Sequence, residues 1–314
     1  MKAFWIIALV DVGLVGLLTA AQGRAGRSRR LRDALRCQAL VGWSALMVLP
    51  FLWMALASMK SPGEARSTFG GMTPRALRQG DLKALWRQTE SNYAEAWNAP
   101  GEGVSFTRYF AVSLTVGFAA TAGALLTSAL AAYAFAWMPF FGRRVLFWLV
   151  VATMMVPAQV LLMPNYLILA ELGWLDRYAA LIVPWSANVF SIFLLRQFFA
   201  QIPADLWEAA RIDGAGRMGF LLWVALPLGR PALVTAGLFC FLGNWNSLMW
   251  PLIVTTSPQM RTLMVGLQTF SDAAGTDFHL LAAASTIAIL PTAILFFFLQ
   301  RVFTEGVART GMTL

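Results

Sequence analysis

Long apolar runs separated by short polar segments set the plan of the chain. A helix needs about 20 apolar residues to cross the hydrocarbon of a bilayer. Seven stretches reach or approach that length, at about residues 4–21, 37–59, 109–137, 145–170, 178–199, 226–255 and 280–303. In lipid every backbone N–H and C=O must be paired within its own segment, so such runs predict helices. The expected fold is all-α: a polytopic membrane protein in which residues 1–36 form an extra N-terminal span with an Arg-rich linker, and 37–314 the main membrane domain. Short basic segments stay on the cytoplasmic side. Arg24, Arg27, Arg29, Arg30, Arg32 and Arg36 follow the first run, so the N-terminus is expected outside. This charge order is the reverse of a signal peptide's. Counting onward places residues 60–108 and 256–279 outside, and the 200–226 loop and the C-terminus inside.

Polar residues within the runs modify this picture. Gly117, Ala120, Ala124 and Ser128 recur at three- and four-residue spacing, a small face that lets helices approach closely. Pro157 and Pro164, beside Gln159 and Asn165, interrupt the fourth run. They suit either a discontinuous helix along a transport pathway or a kinked packing helix. Asn188 stands in the fifth run, and Asn244-Trp245-Asn246 in the sixth. Such amides are costly in hydrocarbon and suit a polyol or a neighbouring helix equally. Asn165, Asn188, Asn244, Trp245 and Asn246 are therefore the candidate lining of a pathway. Asp11 in the first run is costly in lipid and suits either a buried partner or a segment packed loosely near the headgroups, and His279, at the edge of the last, reads as an interfacial polar residue. Outside the runs, Ser91-Asn-Tyr-Ala-Glu-Ala-Trp97 reads as an amphipathic helix with Tyr93 and Trp97 on one face.

Composition narrows the class. With 59% hydrophobic and 12% charged residues, this is not an ordinary soluble domain. The net charge of +9 is carried by arginines that flank spans, which orient a membrane protein and do not argue for nucleic acid. Cys37 and Cys240 lie at or within runs and imply neither a disulfide framework nor metal-ligand spacing. None of the three lysines, Lys2, Lys60 and Lys83, follows a glycine, so no phosphate-binding loop exists. Neither a Gly-x-Ser-x-Gly elbow nor a metal-binding His pair is present, so no enzyme activity is expected. The core runs also lack the acids of a proton-coupled carrier.

The strongest local signal is the polar island Glu208-Ala-Ala-Arg-Ile-Asp-Gly214 in the 200–226 loop. Pro203 suits a first helical turn and Gly214 a helix end. Asp205 and Glu208 early, with Arg211 late, complement the helix dipole. Ala209 and Ala210 allow close approach of another surface.

The spacing Glu-Ala-Ala, three residues, Gly, nine residues, then Val224-Ala-Leu-Pro227, resembles the cytoplasmic coupling loop of bacterial ABC importer permeases. Val224 stands where that pattern usually has Ile. The surrounding residues look like the carbohydrate-uptake branch, of maltose or glycerol-3-phosphate type. Pro50-Phe-Leu-Trp-Met54, Trp250-Pro-Leu-Ile253 and Gln300-Arg-Val-Phe-Thr-Glu-Gly306 carry the resemblance over about residues 40–314. It implies a six-helix ABC importer permease core preceded by one additional span, in the bacterial inner membrane. It also implies ATPase coupling through Asp205, Glu208, Ala209, Ala210, Asp213, Gly214 and Ala215. The implied partners are a homologous second permease subunit, two copies of a cytoplasmic ABC ATPase and an external solute-binding protein. ATP and Mg would sit on the ATPase, leaving this chain without a cofactor. The alternatives are a stand-alone secondary carrier or channel for a small polar solute, and a non-transporting scaffold or membrane enzyme.

Overall fold

A computed structural model describes the backbone of residues 27–66, 71, 73–98, 103–272 and 275–310, and the side chains of 36–66, 71, 73–98, 103–270 and 277–300. The first apolar run and Asp11 lie outside these residues. The principal helices are α1 (Arg27–Ser58), α2 (Leu82–Asn98), α3 (Phe106–Trp137), α4 (Arg143–Ala152), α5 (Leu162–Glu171), α6 (Tyr178–Ile182), α7 (Val189–Phe199), α8 (Ala204–Ile212), α9 (Arg230–Trp245), α10 (Met249–Val254) and α11 (Phe278–Thr310). The only strands among the described residues are the two-residue pair Ser271–Asp272 and Gly275–Thr276, antiparallel to each other.

Among the described residues, four helical segments are long and apolar enough to cross a membrane: Arg36–Ser58, Phe106–Trp137, Tyr178–Phe199 and Phe278–Gln300. Two further spans reach that length only as bent pairs. Arg143–Met155 meets Ala158–Glu171 at 92°, and Arg217–Leu228 meets Arg230–Trp245 at 79°. The first bend falls at Pro157. Proline has no N–H to donate and pushes the preceding residue out of the helical region, and Val156 is extended, with ψ 119°. The second bend corrects the expected start of the sixth span. Leu226–Leu228 belongs to the lower arm, and the upper arm begins at Arg230 with Pro231 in its first turn.

α3 is the axis of the bundle. It packs along α7 and α9, while α9 also packs on α11, and α11 on α1 and α2. The small face of α3 is what these neighbours meet: Gly117, Ala120, Ala124 and Ser128 are all buried. α1 packs on α11 but leaves much of its surface bare, with none of its most apolar window buried and Leu40, Trp43, Phe51 and Trp53 all exposed. In a bilayer such a face is covered by lipid or by another apolar chain.

The end of the bundle opposite α8 is tied down by polar contacts. Asn92 of α2 is 1% exposed and donates from Nδ2 to the C=O of Ser58 (2.7 Å) and of Lys60 (2.9 Å), closing the frayed end of α1. Tyr93 reaches Ser58 Oγ at 3.1 Å, and Trp97 packs on Phe106, so this stretch is helical and faces the core. His279, at the edge of the last span, is buried, 3% exposed, on a helix against which α2 packs. Asp176, with φ +58°, accepts the N–H groups of Thr256 and Ser257, each at 3.0 Å. Burial raises its pKa, but these bonds and the nearby Arg261 outweigh that and hold the carboxyl below its ordinary value.

Candidate functional site: an exposed helix and a polar groove

α8 projects from one end of the bundle. Its start is set by Pro203 at φ −59°, whose missing N–H costs nothing there. At its end Gly214 takes φ +82°, a left-handed value that glycine adopts without penalty. The Gly214 N–H then reaches the C=O of Arg211 (3.0 Å) and the Ala215 N–H that of Ala210 (2.8 Å), the paired bonds of a glycine-terminated helix. Asp205, Glu208, Ala209, Arg211, Asp213 and Gly214 are exposed, whereas Ala210 and Ala215 are half-buried. Two apolar side chains that sequence reasoning passed over also face outward: Leu206, 40% exposed, and Ile212, 88% exposed. Their position beside an alternating charge pattern was the available signal.

The inner face of α8 is fixed to the bundle by one aromatic wedge. Phe220 is fully buried, and its ring lies 5.1 Å from Trp207 of α8, 5.1 Å from Trp137 and 6.4 Å from Tyr133 of α3. Burying such a ring is worth about 1.5–3 kcal/mol. Hydrogen bonds orient two of the surrounding rings: Trp137 Nε1 donates to the Phe199 C=O (2.9 Å) and Tyr133 Oη to the Arg217 C=O (2.9 Å). Beyond Phe220 the chain runs through a π-helical stretch, Leu221–Ala225, to the 79° bend at Gly229. A Cβ on Gly229 would stand 2.9 Å from both the Ala225 carbonyl oxygen and a Phe199 ring carbon, so only glycine lets α7 lie against the bend. The wedge and the bend connect α8 directly to α7 and α9.

α7 and α9 in turn border a groove of about 200 Å³ lined in part by Trp185, Asn188, Phe239, Cys240, Asn244 and Ser247. It forms where the fifth span breaks between α6 and α7. α3 braces carbonyls at this break: Thr127 Oγ1 donates to the Ser186 C=O (2.7 Å), and Ser128 Oγ adds a second bond (3.1 Å) to the Asn188 C=O, which also accepts the Ile192 N–H. The structure thus brings Asn188 and Asn244 together and leaves Asn165 and Asn246 out of the lining. Trp245 does not line it either. It is 1% exposed, donates its indole N–H to the Ala288 C=O (3.1 Å), and stacks on Phe241. An indole whose N–H finds a carbonyl is as good a core residue as a phenyl ring. Trp185 and Ser247, which sequence reasoning missed, take its place.

The family described as "Binding-protein-dependent transport system inner membrane component" matches residues 123–309, which include α8, both bends' distal arms and the groove. The chain belongs to this family. It is a multi-pass inner-membrane permease component of a binding-protein-dependent ABC importer, a transport family that does not favour the stand-alone carrier. The "sn-glycerol-3-phosphate transport system permease protein UgpE" of Agrobacterium fabrum (strain C58 / ATCC 33970) is 34% identical over 242 residues, covering 76% of this chain and 84% of that protein. The protein of the same name from Rhizobium meliloti (strain 1021) is 34% identical over 224 residues, covering 70% and 79%. The fold is shared with a solved bacterial ABC transporter involved in the import of the acidic polysaccharide alginate. That likeness has a TM-score of 0.74 at 22% identity and covers 90% of this chain and 100% of the other.

Proposed function

We propose that this permease forms half of a pathway for a sugar or sugar-like solute and receives the force of ATP hydrolysis through α8. The observation that carries this reading is the construction of α8. Its outer face is free, charged and studded with Leu206 and Ile212, while its inner face is locked through Phe220 to a bent span. A surface helix built only to connect two spans needs neither feature. Asp205, Glu208, Ala209, Ala210, Asp213, Gly214 and Ala215 form the docking surface for the ATPase. ATP and Mg belong to that partner, present in two copies, and a homologous permease and an external binding protein complete the assembly. The α8 end faces the cytoplasm, in keeping with Arg143, Arg144, Arg196, Arg217 and Arg230 in the short segments there. Relatives named for sn-glycerol 3-phosphate and a fold shared with an alginate importer favour a hydroxyl-rich solute.

Because the Glu208 side chain is exposed, Glu208→Lys should insert and fold normally. In the co-expressed complex it should retain about a tenth or less of the wild-type ATPase after affinity purification, a change of about 1.4 kcal/mol in docking. Wild-type ATPase recovery together with wild-type uptake would remove Glu208 from the role.

A further inference from the structure

The first turns of the fourth span carry a second cavity, far from the amides. It is a furrow of about 370 Å³ along α4, lined by Arg144, Val145, Trp148 and Leu149. At four-residue spacing Arg144 stands over Trp148 and Val145 over Leu149, and all four are exposed. Helical side chains lean towards the N-terminus, which carries the Arg144 guanidinium to one end of the furrow and leaves apolar side chains along the rest. Positive charge gathers at that end. Arg143 adjoins Arg144, its Nη1 donating to the Met138 C=O (3.2 Å). Arg196 of α7 arrives from the side, its guanidinium 4.8 Å from the centre of the Phe147 ring, which lies 5.7 Å from that of Trp148. None of these three arginines forms an ion pair among the described residues, and Arg196 Nε is buried there without a hydrogen-bond partner. The first turn of α4 has no acidic residue to offset them.

We propose that this furrow holds an anionic phospholipid of the surrounding bilayer, with its phosphodiester on Arg144 and an acyl chain along Val145, Trp148 and Leu149. Arg143 and Arg196 supply the field around the phosphate. A guanidinium offers a phosphate two parallel N–H donors, so Arg144 can hold the headgroup in one orientation. The furrow passes from charge to apolar side chains within one helical turn, about 5 Å, and a phospholipid joins those two chemistries in a single molecule. Its setting fits as well. α4 is the first arm of a bent span, and the fully exposed Phe141 and the exposed Trp148 bracket the arginines, as aromatics do at a membrane–water boundary. Basic pockets on the cytoplasmic side of spans take anionic headgroups. A zwitterionic headgroup brings its own cation towards the arginines, so the furrow should select for net negative charge. The leaflet rests on the topology proposed above, but the chemistry of the site does not.

The test uses the full importer complex in nanodiscs of phosphatidylethanolamine, doped with phosphatidylglycerol that carries a photoactivated diazirine in its acyl chain. Adducts would be mapped by peptide mass spectrometry. Residues 139–155 should carry about fivefold more label, or above, than with a phosphatidylcholine probe bearing the same chain. Arg144→Gln should remove most of that excess while labelling of the exposed face of α1 stays at the wild-type level, and Arg144→Lys should keep part of it. A merely structural role for Arg144 would not separate the two lipids. Millimolar sn-glycerol 3-phosphate should leave the labelling unchanged, since a soluble phosphate lacks the chain. Equal labelling by the two lipids, an excess that survives Arg144→Gln, competition by the soluble phosphate, or no label in this segment, as when another polypeptide covers it, would each overturn the proposal. ATPase co-purification is scored on the same samples, so failure of this site and failure of α8 docking are read separately.

Discussion

At the scale of the residue, close approach and charge pairing make the sharpest demands. Gly229 faces a backbone carbonyl that cannot move aside, whereas Gly243 on the same span faces open space. Gly229→Ala should therefore destabilise the purified permease by about 1–3 kcal/mol through overpacking. Gly243→Ala should be neutral or stabilising by up to about 1 kcal/mol, as expected of a helix interior. Thermal unfolding in detergent would compare the two, and equal effects would contradict the packing described for the bend. Glu64 makes a different demand. Burial raises its pKa, but the Ser61 and Arg75 backbone N–H groups, the Ser61 hydroxyl and the Arg75 guanidinium outweigh it, so the carboxyl sits below its ordinary 4.5. In the pH range between the two values the unfolded chain holds more protons than the folded one, so stability rises with pH there. The stabilisation is complete above the unfolded value and is lost as pH falls through the folded one. Glu64→Gln should thus lower the melting temperature at pH 7, and the gap to wild type should close in acid. A gap that is constant with pH would show that the charge is not what matters.

At the scale of the element, α8 was legible almost to the residue. Pro203 and Gly214 act through their own backbone chemistry, which no tertiary contact has to supply, and the observed helix spans Ala204–Ile212. The break at Pro157 was legible for the same reason. The bend at Gly229 was not, because it depends on Phe199 arriving from another helix and on a π-helical stretch with no local mark in Leu221–Ala225. Trp245 was misread by a related route. Two flanking amides made the triplet look polar, yet Asn244 and Asn246 both bond back to carbonyls four residues earlier, and the indole found one on α11. The element-level consequence concerns the wedge. Truncating Phe220 to Ala removes a ring shared by α3 and α8, at a cost of about 3–5 kcal/mol. In a complex that still assembles, ATPase recovery should persist while uptake falls sharply, because the proposed function puts docking on the outer face of α8 and transmission on the inner. Parallel loss of both would mean that the wedge holds α8 in shape without transmitting anything.

At the scale of the whole molecule, a rigid axis, α3, is flanked by two spans that are bent and one that is broken. The bent lower arm of the sixth span carries α8's anchor, and the upper arm borders the groove. On the proposed function, a push on α8 would be delivered to the same span that borders the groove. Six of the seven expected spans were readable from hydropathy, two of them present only as bent pairs, and the first run lies outside the described residues. Which amides meet across the bundle was not, since that depends on three helices meeting at one break. The central claim is that the free face of α8 bears on the ATPase. Its most direct test is Ile212→Cys, at a position 88% exposed, carrying a short photoactivated cross-linker in the assembled complex. An adduct with the ATPase, diminished by Glu208→Lys, is the predicted result. An Ile212 position labelled from the external face of intact cells, or one that forms no ATPase adduct in a transport-competent complex, would contradict the account.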